Sequence, residues 1–423
     1  MNDLTTISKD ASLIMNSIVI IGGGHAAAQL CAGLAEAGQG ARVHLVCEEA
    51  CEPYHRPPLS KAFLKSADEP TQPHKAADWY REAGITLHLG DAATAIDRAA
   101  RTVTLRSGAV LPYEHLVLAT GTRARRLPGL PDGLDNVAML RAVAEAHNLR
   151  DRLAAAQDVT VLGGGFIGLE VAATARAMGK AVRVIEAAPR LLGRAVSSEL
   201  SAHVLTAHRE AGIDVVLNAT VDGFAIDGMH LVELNVDGKR QPIDLLLLGI
   251  GAVPETGLAK RAGLDCADGI VVDAHMQTSD PAILAIGDCT RFPDRRADRP
   301  LRLESVQNAN DQARTAAATL TGAPKPHDVL PWFWSEQGAM RLQMAGLVPA
   351  EGTPGHVTVR RPGPGANPNA FSLFHYVGDQ LVCVESVNAP VDHMMSRKLL
   401  EAGRSPDAAL VADAAVPLKN HLS

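Results

Sequence analysis

One pattern occurs twice in this chain and restricts its fold more than any other feature. Ser17 to Ile21 is an apolar run ending in Gly22-Gly23-Gly24-His25-Ala26-Ala27. A helical stretch to about Ala37 follows, then a second apolar run, Arg42 to Cys47, closed by Glu48. Later, Asp158 to Leu162 leads into Gly163-Gly164-Gly165-Phe166-Ile167-Gly168, a helical stretch to Met178, a strand Ala181 to Ile185, and Glu186. Each copy reads strand, glycine-rich turn, helix, strand, acid, which is a βαβ unit built to hold a dinucleotide. The first glycine makes the tight turn. The second leaves room for a pyrophosphate against the backbone, and the third position must be small for the helix to pack on its strand. Ala27 takes that third place in the first copy, and it is small enough. The helix N-terminus then offers N–H groups and positive dipole to a diphosphate. Glu48 and Glu186 are placed to accept hydrogen bonds from a ribose diol. Two such sites on one chain predict electron transfer between two dinucleotides, most simply a flavin and a nicotinamide nucleotide. Glu186 would repel a 2′-phosphate and so favours NADH, although Arg190, four residues on, would soften that preference if it faced the ribose.

Composition leaves room for this reading and excludes others. The chain has 423 residues, 47% hydrophobic and 21% charged, enough for two to three ordinary globular domains. The net charge of -7 argues against nucleic-acid binding. No apolar run approaches the length of a membrane span, and the first sixteen residues carry Asp3, Lys9 and Asp10, so they read as a ragged N-terminus and not a signal peptide. The expected compartment is the cytoplasm. Six cysteines stand at 31, 47, 51, 266, 289 and 383, with no C-x-x-C, which predicts reduced structural thiols and no metal site.

Between the two units, Ile85 to Leu111 reads as short strands with turns such as Ser107-Gly108, and Leu116 to Ala119 as an apolar strand ending at Thr120-Gly121. Leu245 to Val253 reads as a buried strand with its loop. Gly129 to Asn136 and Gly251 to Gly257 are candidate domain crossings. Ile283 to Ile286 forms a strand that stops at Gly287-Asp288. From Trp332 onward the character changes. Val357 to Arg361, Phe371 to Tyr376 and Leu381 to Val387 alternate as antiparallel strands, Pro362 to Pro368 is a turn between the first two, and Met394 to Gly403 is helical.

Five further segments resemble the FAD-dependent ferredoxin reductases. They are Pro53-Tyr54-His55-Arg56-Pro57-Pro58-Leu59-Ser60-Lys61, Leu118-Ala119-Thr120-Gly121, Thr278 to Asp288, Glu304-Ser305-Val306-Gln307-Asn308-Ala309, and Pro331-Trp332-Phe333-Trp334-Ser335. Their order matches, and the resemblance runs over nearly the whole chain from Ile18 onward. The resemblance implies an enzyme that passes electrons from NADH through FAD to a [2Fe-2S] ferredoxin serving a cytochrome P450 or a ring-hydroxylating dioxygenase. It implies an α/β fold of two Rossmann-like, glutathione-reductase-like dinucleotide domains plus a C-terminal α+β interface domain. FAD would take residues 1–127 and 255–330, NAD residues 128–254, and the interface domain residues 331–423.

Carried over residue by residue, the resemblance places Gly22, Gly24, Ala26 and Ala27 at the FAD pyrophosphate and Glu48 on the adenosine ribose. Ala93 would meet the adenine. Arg56, Thr120, Gly121 and Arg141 would lie near FAD, Asp288 on the ribityl chain, Val306 at the ring through its N–H, and Trp334 over the flavin. Lys61 would approach the flavin near N5. Gly163, Gly165, Ile167 and Gly168, with Glu186 and Gly251, would form the NADH site, where Glu170 would orient the nicotinamide amide. Arg291, Arg295, Arg296, Arg299 and Arg302, among Asp294 and Asp298, would form a rim for an acidic ferredoxin, or else a solvated charged loop. Two alternatives share the fold. A disulfide reductase or peroxide-reducing NADH oxidase needs a reactive Cys where Lys61 stands. A flavoprotein resembling apoptosis-inducing factor would bind NADH chiefly to change conformation and be reduced slowly.

Overall fold

In a computed structural model, residues 16–363 and 367–422 are described. Most of the expected N-terminal tail and the middle of the Pro362 to Pro368 turn lie outside them. The chain forms two contact units. The first comprises residues 1–55, 71–123 and 253–329, and the second residues 56–70, 124–252 and 330–423. Residues 56–70, which carry Arg56 and Lys61, therefore group with the second glycine-rich segment.

The first unit is organised by a five-stranded parallel sheet in the order Ile283–Ala285, His115–Leu118, Ile18–Ile21, Val43–Cys47, Thr86–Leu89. Ile18 sits opposite both Val43 and His115, which fixes the register of the central strand. All four residues of that strand are buried, as a strand covered on both faces requires. The His25–Glu36 helix lays Ala26, Ala27, Leu30, Cys31 and Leu34 into the core with Ala309, Ala313 and Ala316 of the Val306–Leu320 helix. A Cβ on Gly33 would come 3.2 Å from the Ala317 Cβ, so small residues set how closely these helices approach. A side sheet of Ala93–Asp97, Thr102–Leu105 and Val110–Pro112 accounts for the short strands expected after Ile85.

The second unit repeats the plan. Its parallel sheet runs Asp214–Val216, Ala181–Ile185, Asp158–Leu162, Leu245–Leu248, Val137–Ala138. The C-terminal residues form a five-stranded antiparallel sheet, Trp332–Gln337, Met340–Gly346, Gln380–Val387, Phe371–Val377, His356–Pro362, followed by the Pro390–Glu401 helix. This sheet has no core of its own on one face: Met340, Leu342, Phe371, Leu373 and Val387 share a cluster with Leu169, Val171 and Leu200. A buried polar node joins the same parts. Glu385 accepts from the Ser197 backbone N–H at 2.9 Å and from the Ser197 hydroxyl, and His375 Nε2 lies 3.0 Å from it.

Candidate functional site

The two glycine-rich turns have the same geometry for the same reason. Gly22 has φ +120°, and a Cβ there would sit 2.2 Å from the Ala119 carbonyl oxygen. Gly163 has φ +107°, and its Cβ would sit 2.4 Å from the Gly249 oxygen. Only glycine meets both demands. At the next cradle position the situation reverses. A Cβ on Gly24 meets nothing within 4 Å, and one on Gly165 meets only the Gly249 oxygen at 4.0 Å. Both residues cap their helices without a side-chain hydrogen bond, whereas Ser197 and Ser305 cap theirs with the hydroxyl. No side chain fills the cap position of either helix, and the room this leaves beside the helix start fits a diphosphate bound there. Ala26 and Ala27 are buried, and a Cβ on Gly168 would strike the Gly163 oxygen at 2.4 Å.

The acids differ between copies. Glu48 is exposed and pairs with Arg106 at 3.0 Å. Glu186 accepts the Gly164 N–H at 2.6 Å and the Ala188 N–H at 2.7 Å, which fixes its carboxylate beside the cradle. Arg190 donates to the Val196 carbonyl at 2.8 Å and lies 3.4 Å from Glu351. In the first unit, Ala93 opens its strand, Thr120 donates to the Glu255 carbonyl at 2.6 Å, and Gly121 accepts the Glu255 N–H. Asp288 follows the Ile283–Ala285 strand, and Val306 is the first residue of its helix, where an N–H has no intrahelical acceptor. In the second unit, Gly251 has φ +100° and accepts the Arg125 N–H. Ile167 is 47% exposed at the start of the Phe166–Ala177 helix, and Trp334 is half-buried with its ring 5.6 Å from Trp332. The Arg141 N–H and the Ala142 N–H both donate to Glu145, and the Arg141 carbonyl accepts from Arg56 at 2.7 Å.

The most constrained group is Glu170, on the helix that begins after Gly165. It is 5% exposed and accepts from Lys61 Nζ at 2.6 Å, the Ser60 hydroxyl at 2.5 Å, the Ser335 hydroxyl at 2.7 Å and the Glu336 N–H at 3.4 Å. Thr174, one turn on, holds the Ser60 carbonyl at 2.9 Å. Burying a carboxylate is costly unless a cation and further donors compensate it, and all of these do. Lys61, with 20% of its side chain exposed, also reaches the Pro57 carbonyl at 3.2 Å. A fixed ammonium and a fixed carboxylate thus meet within one turn of a diphosphate cradle. The pair suits charge stabilisation and amide orientation and carries no nucleophile.

Residues 16–313 match the model of the pyridine nucleotide-disulphide oxidoreductase family, and residues 332–422 match the reductase C-terminal domain. The chain is 42% identical over 401 residues to rhodocoxin reductase of Rhodococcus erythropolis, covering 94% of this chain and 92% of that one. The crystal structure of the ferredoxin reductase for the CYP199A2 system of Rhodopseudomonas palustris superposes with a TM-score of 0.91 at 41% identity, covering 96% of this chain and 100% of that one. The chain belongs to this oxidoreductase family, on its ferredoxin reductase branch. Putidaredoxin reductase, in its covalent complex with putidaredoxin, is also similar, with a TM-score of 0.88, 38% identity, and coverage of 96% and 98%.

FAD and NAD(H) are the cofactors of this reductase, and the two uncapped helix starts fit them. The six cysteines form no disulfide. Burial pushes the Cys31, Cys289 and Cys383 thiols up, away from reactive thiolates. No helix among the described residues is long and apolar enough to cross a membrane. Ser60, Ser335 and Thr174 were not singled out from the sequence, although Ser60 and Ser335 lie inside the quoted segments.

Proposed function

We propose that this reductase carries electrons from NADH through FAD to a small [2Fe-2S] ferredoxin serving a cytochrome P450 or a ring-hydroxylating dioxygenase. The observation that carries the mechanism is the buried Lys61–Glu170 pair, with serine hydroxyls holding the carboxylate. FAD, when bound, supplies what side chains lack: it accepts two electrons together and releases them singly. Lys61 offers positive charge where negative charge develops, and Glu170 offers a carboxylate oxygen to a nicotinamide amide. The Gly22–Ala27 and Gly163–Gly168 turns bind the two diphosphates, with Glu48 and Glu186 on the riboses. Arg56, Ala93, Thr120, Gly121, Arg141, Asp288, Val306 and Trp334 keep the FAD roles that the family pattern gives them, and Ile167 and Gly251 keep theirs at NADH. Reduced thiols and an NADH donor suit a cytoplasmic enzyme. The test is NADH-driven cytochrome c reduction with a panel of [2Fe-2S] ferredoxins. Ferredoxin-dependent rates support the reading, and rates unaffected by any ferredoxin contradict it.

Glu186 is the proposed determinant of nucleotide choice. Arg190 is held by Val196 and Glu351, so it is not poised for a 2′-phosphate. A charged hydrogen bond to the ribose contributes about 1.5 kcal/mol or more, so Glu186→Ala should lower the NADH over NADPH preference by roughly tenfold in kcat/KM. Equal rates with both nucleotides in the wild type would overturn this role.

The proposed docking rim narrows to its uncompensated charge. Arg295 and Arg296 pair with Asp328, Arg296 also with Asp294, and Arg302 with Asp268 and Glu304. Arg299 is exposed and has no ion pair among the described residues, and Arg291 is half-buried in its short strand. Arg299→Glu should therefore raise the KM for ferredoxin by roughly two- to fivefold at low salt, with NADH–ferricyanide turnover unchanged. An unchanged KM would remove Arg299 from the dock.

A further inference from the structure

Beside the first glycine-rich turn, and apart from the Lys61–Glu170 site, three histidines from separate stretches of the first unit come together. His25 is the first residue of the His25–Glu36 helix, and His55 and His74 flank an isolated antiparallel bridge between Tyr54 and Pro73. The bridge is pinned by the His55 N–H donating to the Gln72 carbonyl at 2.8 Å and the His74 N–H donating to the Pro53 carbonyl at 2.9 Å. In that register His55 and His74 are diagonal neighbours on one face, so the backbone itself holds their rings together. Their ring centroids lie 3.9 Å apart, and the His25 ring lies 4.5 Å from His74 and 5.6 Å from His55. One ring nitrogen of each residue lies within 4.8 Å of the other two.

We propose that His25, His55 and His74 form a site for a divalent cation of the Zn²⁺ type. Imidazole nitrogens are the ligands such ions favour. Zn–N bonds of about 2.0 Å in a tetrahedral set put the nitrogens about 3.3 Å apart, so the ring nitrogens, within 4.8 Å of one another, need to close by up to about 1.5 Å. A closure of that size is within the reach of side-chain rotation. The burial gradient suits a site with one open edge: His25 is buried, His74 half-buried and His55 exposed. Three nitrogens leave a fourth position for water, as in open His₃ sites. The bound ion would tie the Pro53–His55 and Gln72–His74 segments to the first residue of the helix that follows the Gly22–Gly24 turn. The expectation of no metal site had rested on cysteine spacing, and histidines at 25, 55 and 74 present no spacing motif.

The test uses untagged, FAD-loaded enzyme incubated with Zn²⁺, freed of excess metal, and analysed for zinc per flavin by mass spectrometry. Wild type should retain about one Zn²⁺ per chain, and His74→Gln and His55→Gln should each lower the affinity by about tenfold or more. His44→Gln removes one ring of a separate half-buried pair, 3.2 Å from His88, and should bind as wild type does. His25 is left intact because it lies inside the nucleotide cradle. Co²⁺ in place of Zn²⁺ should give ligand-field bands to the red of the flavin in wild type and not in His74→Gln, each compared at equal flavin content. Wild type that retains no zinc, or His74→Gln and His55→Gln enzymes that retain as much as wild type, would overturn the site.

Discussion

Replacing Lys61 with alanine is expected to slow NADH-driven flavin reduction about 10²-fold per bound flavin. The ammonium is the only side-chain cation on the Glu170 carboxylate among the described contacts, at 2.6 Å. A fixed charge in a water-poor site contributes about 3 kcal/mol to a transition state in which charge develops beside it, and 1.4 kcal/mol is a factor of ten. The substitution also leaves Glu170 buried with two hydroxyls and an N–H but no cation, which should cost about 2 kcal/mol of stability. Lys61→Arg should recover part of the rate, because charge returns while the ammonium geometry does not. Stopped-flow absorbance under anaerobic conditions reads the rate. An alanine variant reduced as fast as wild type would show that Lys61 only fills space.

Gly163→Ala is expected to separate the two nucleotide sites. The added methyl would lie 2.4 Å from the Gly249 oxygen at a φ of +107°, so both sterics and backbone preference oppose it. Together these cost about 3 kcal/mol, and the turn must shift to relieve them. NADH affinity should fall by roughly 10²-fold, while FAD content should stay near wild type because the first cradle is built on Gly22 and Ala119. Titration with NADH, alongside flavin content after purification, measures both. Loss of flavin with intact NADH binding would reverse the assignment of the two cradles.

What was legible in the sequence is what local geometry dictates. The two turns could be read because a tight strand–helix turn forces glycine at Gly22 and Gly163, and because glycine at Gly24 and Gly165 leaves the side-chain space open for a diphosphate. The strand alternation from Val357 to Val387 emerged as the antiparallel strands His356–Pro362, Phe371–Val377 and Gln380–Val387. The Glu170 environment was only half legible. Ser60 is 110 residues away and Ser335 is 165, and no periodicity links them. The charged loop around Arg295 looked like a basic rim because Asp328, which neutralises two of its arginines, lies some thirty residues downstream. The C-terminal segment reads as a separate body by composition, yet Phe371 and Leu373 complete a core with Leu169 and Val171. The histidine cluster was invisible for the same reason as Ser335: the fold brings its members together, and the sequence does not.

The most direct measurement mixes purified enzyme anaerobically with NADH, then with a [2Fe-2S] ferredoxin and cytochrome c. The expected result is rapid bleaching of the flavin band by NADH, followed by cytochrome c reduction that depends on the ferredoxin. Slow bleaching with a persistent long-wavelength charge-transfer band, or cytochrome c reduction indifferent to ferredoxin, would contradict an electron-transfer role and favour a flavoprotein that uses NADH to change shape.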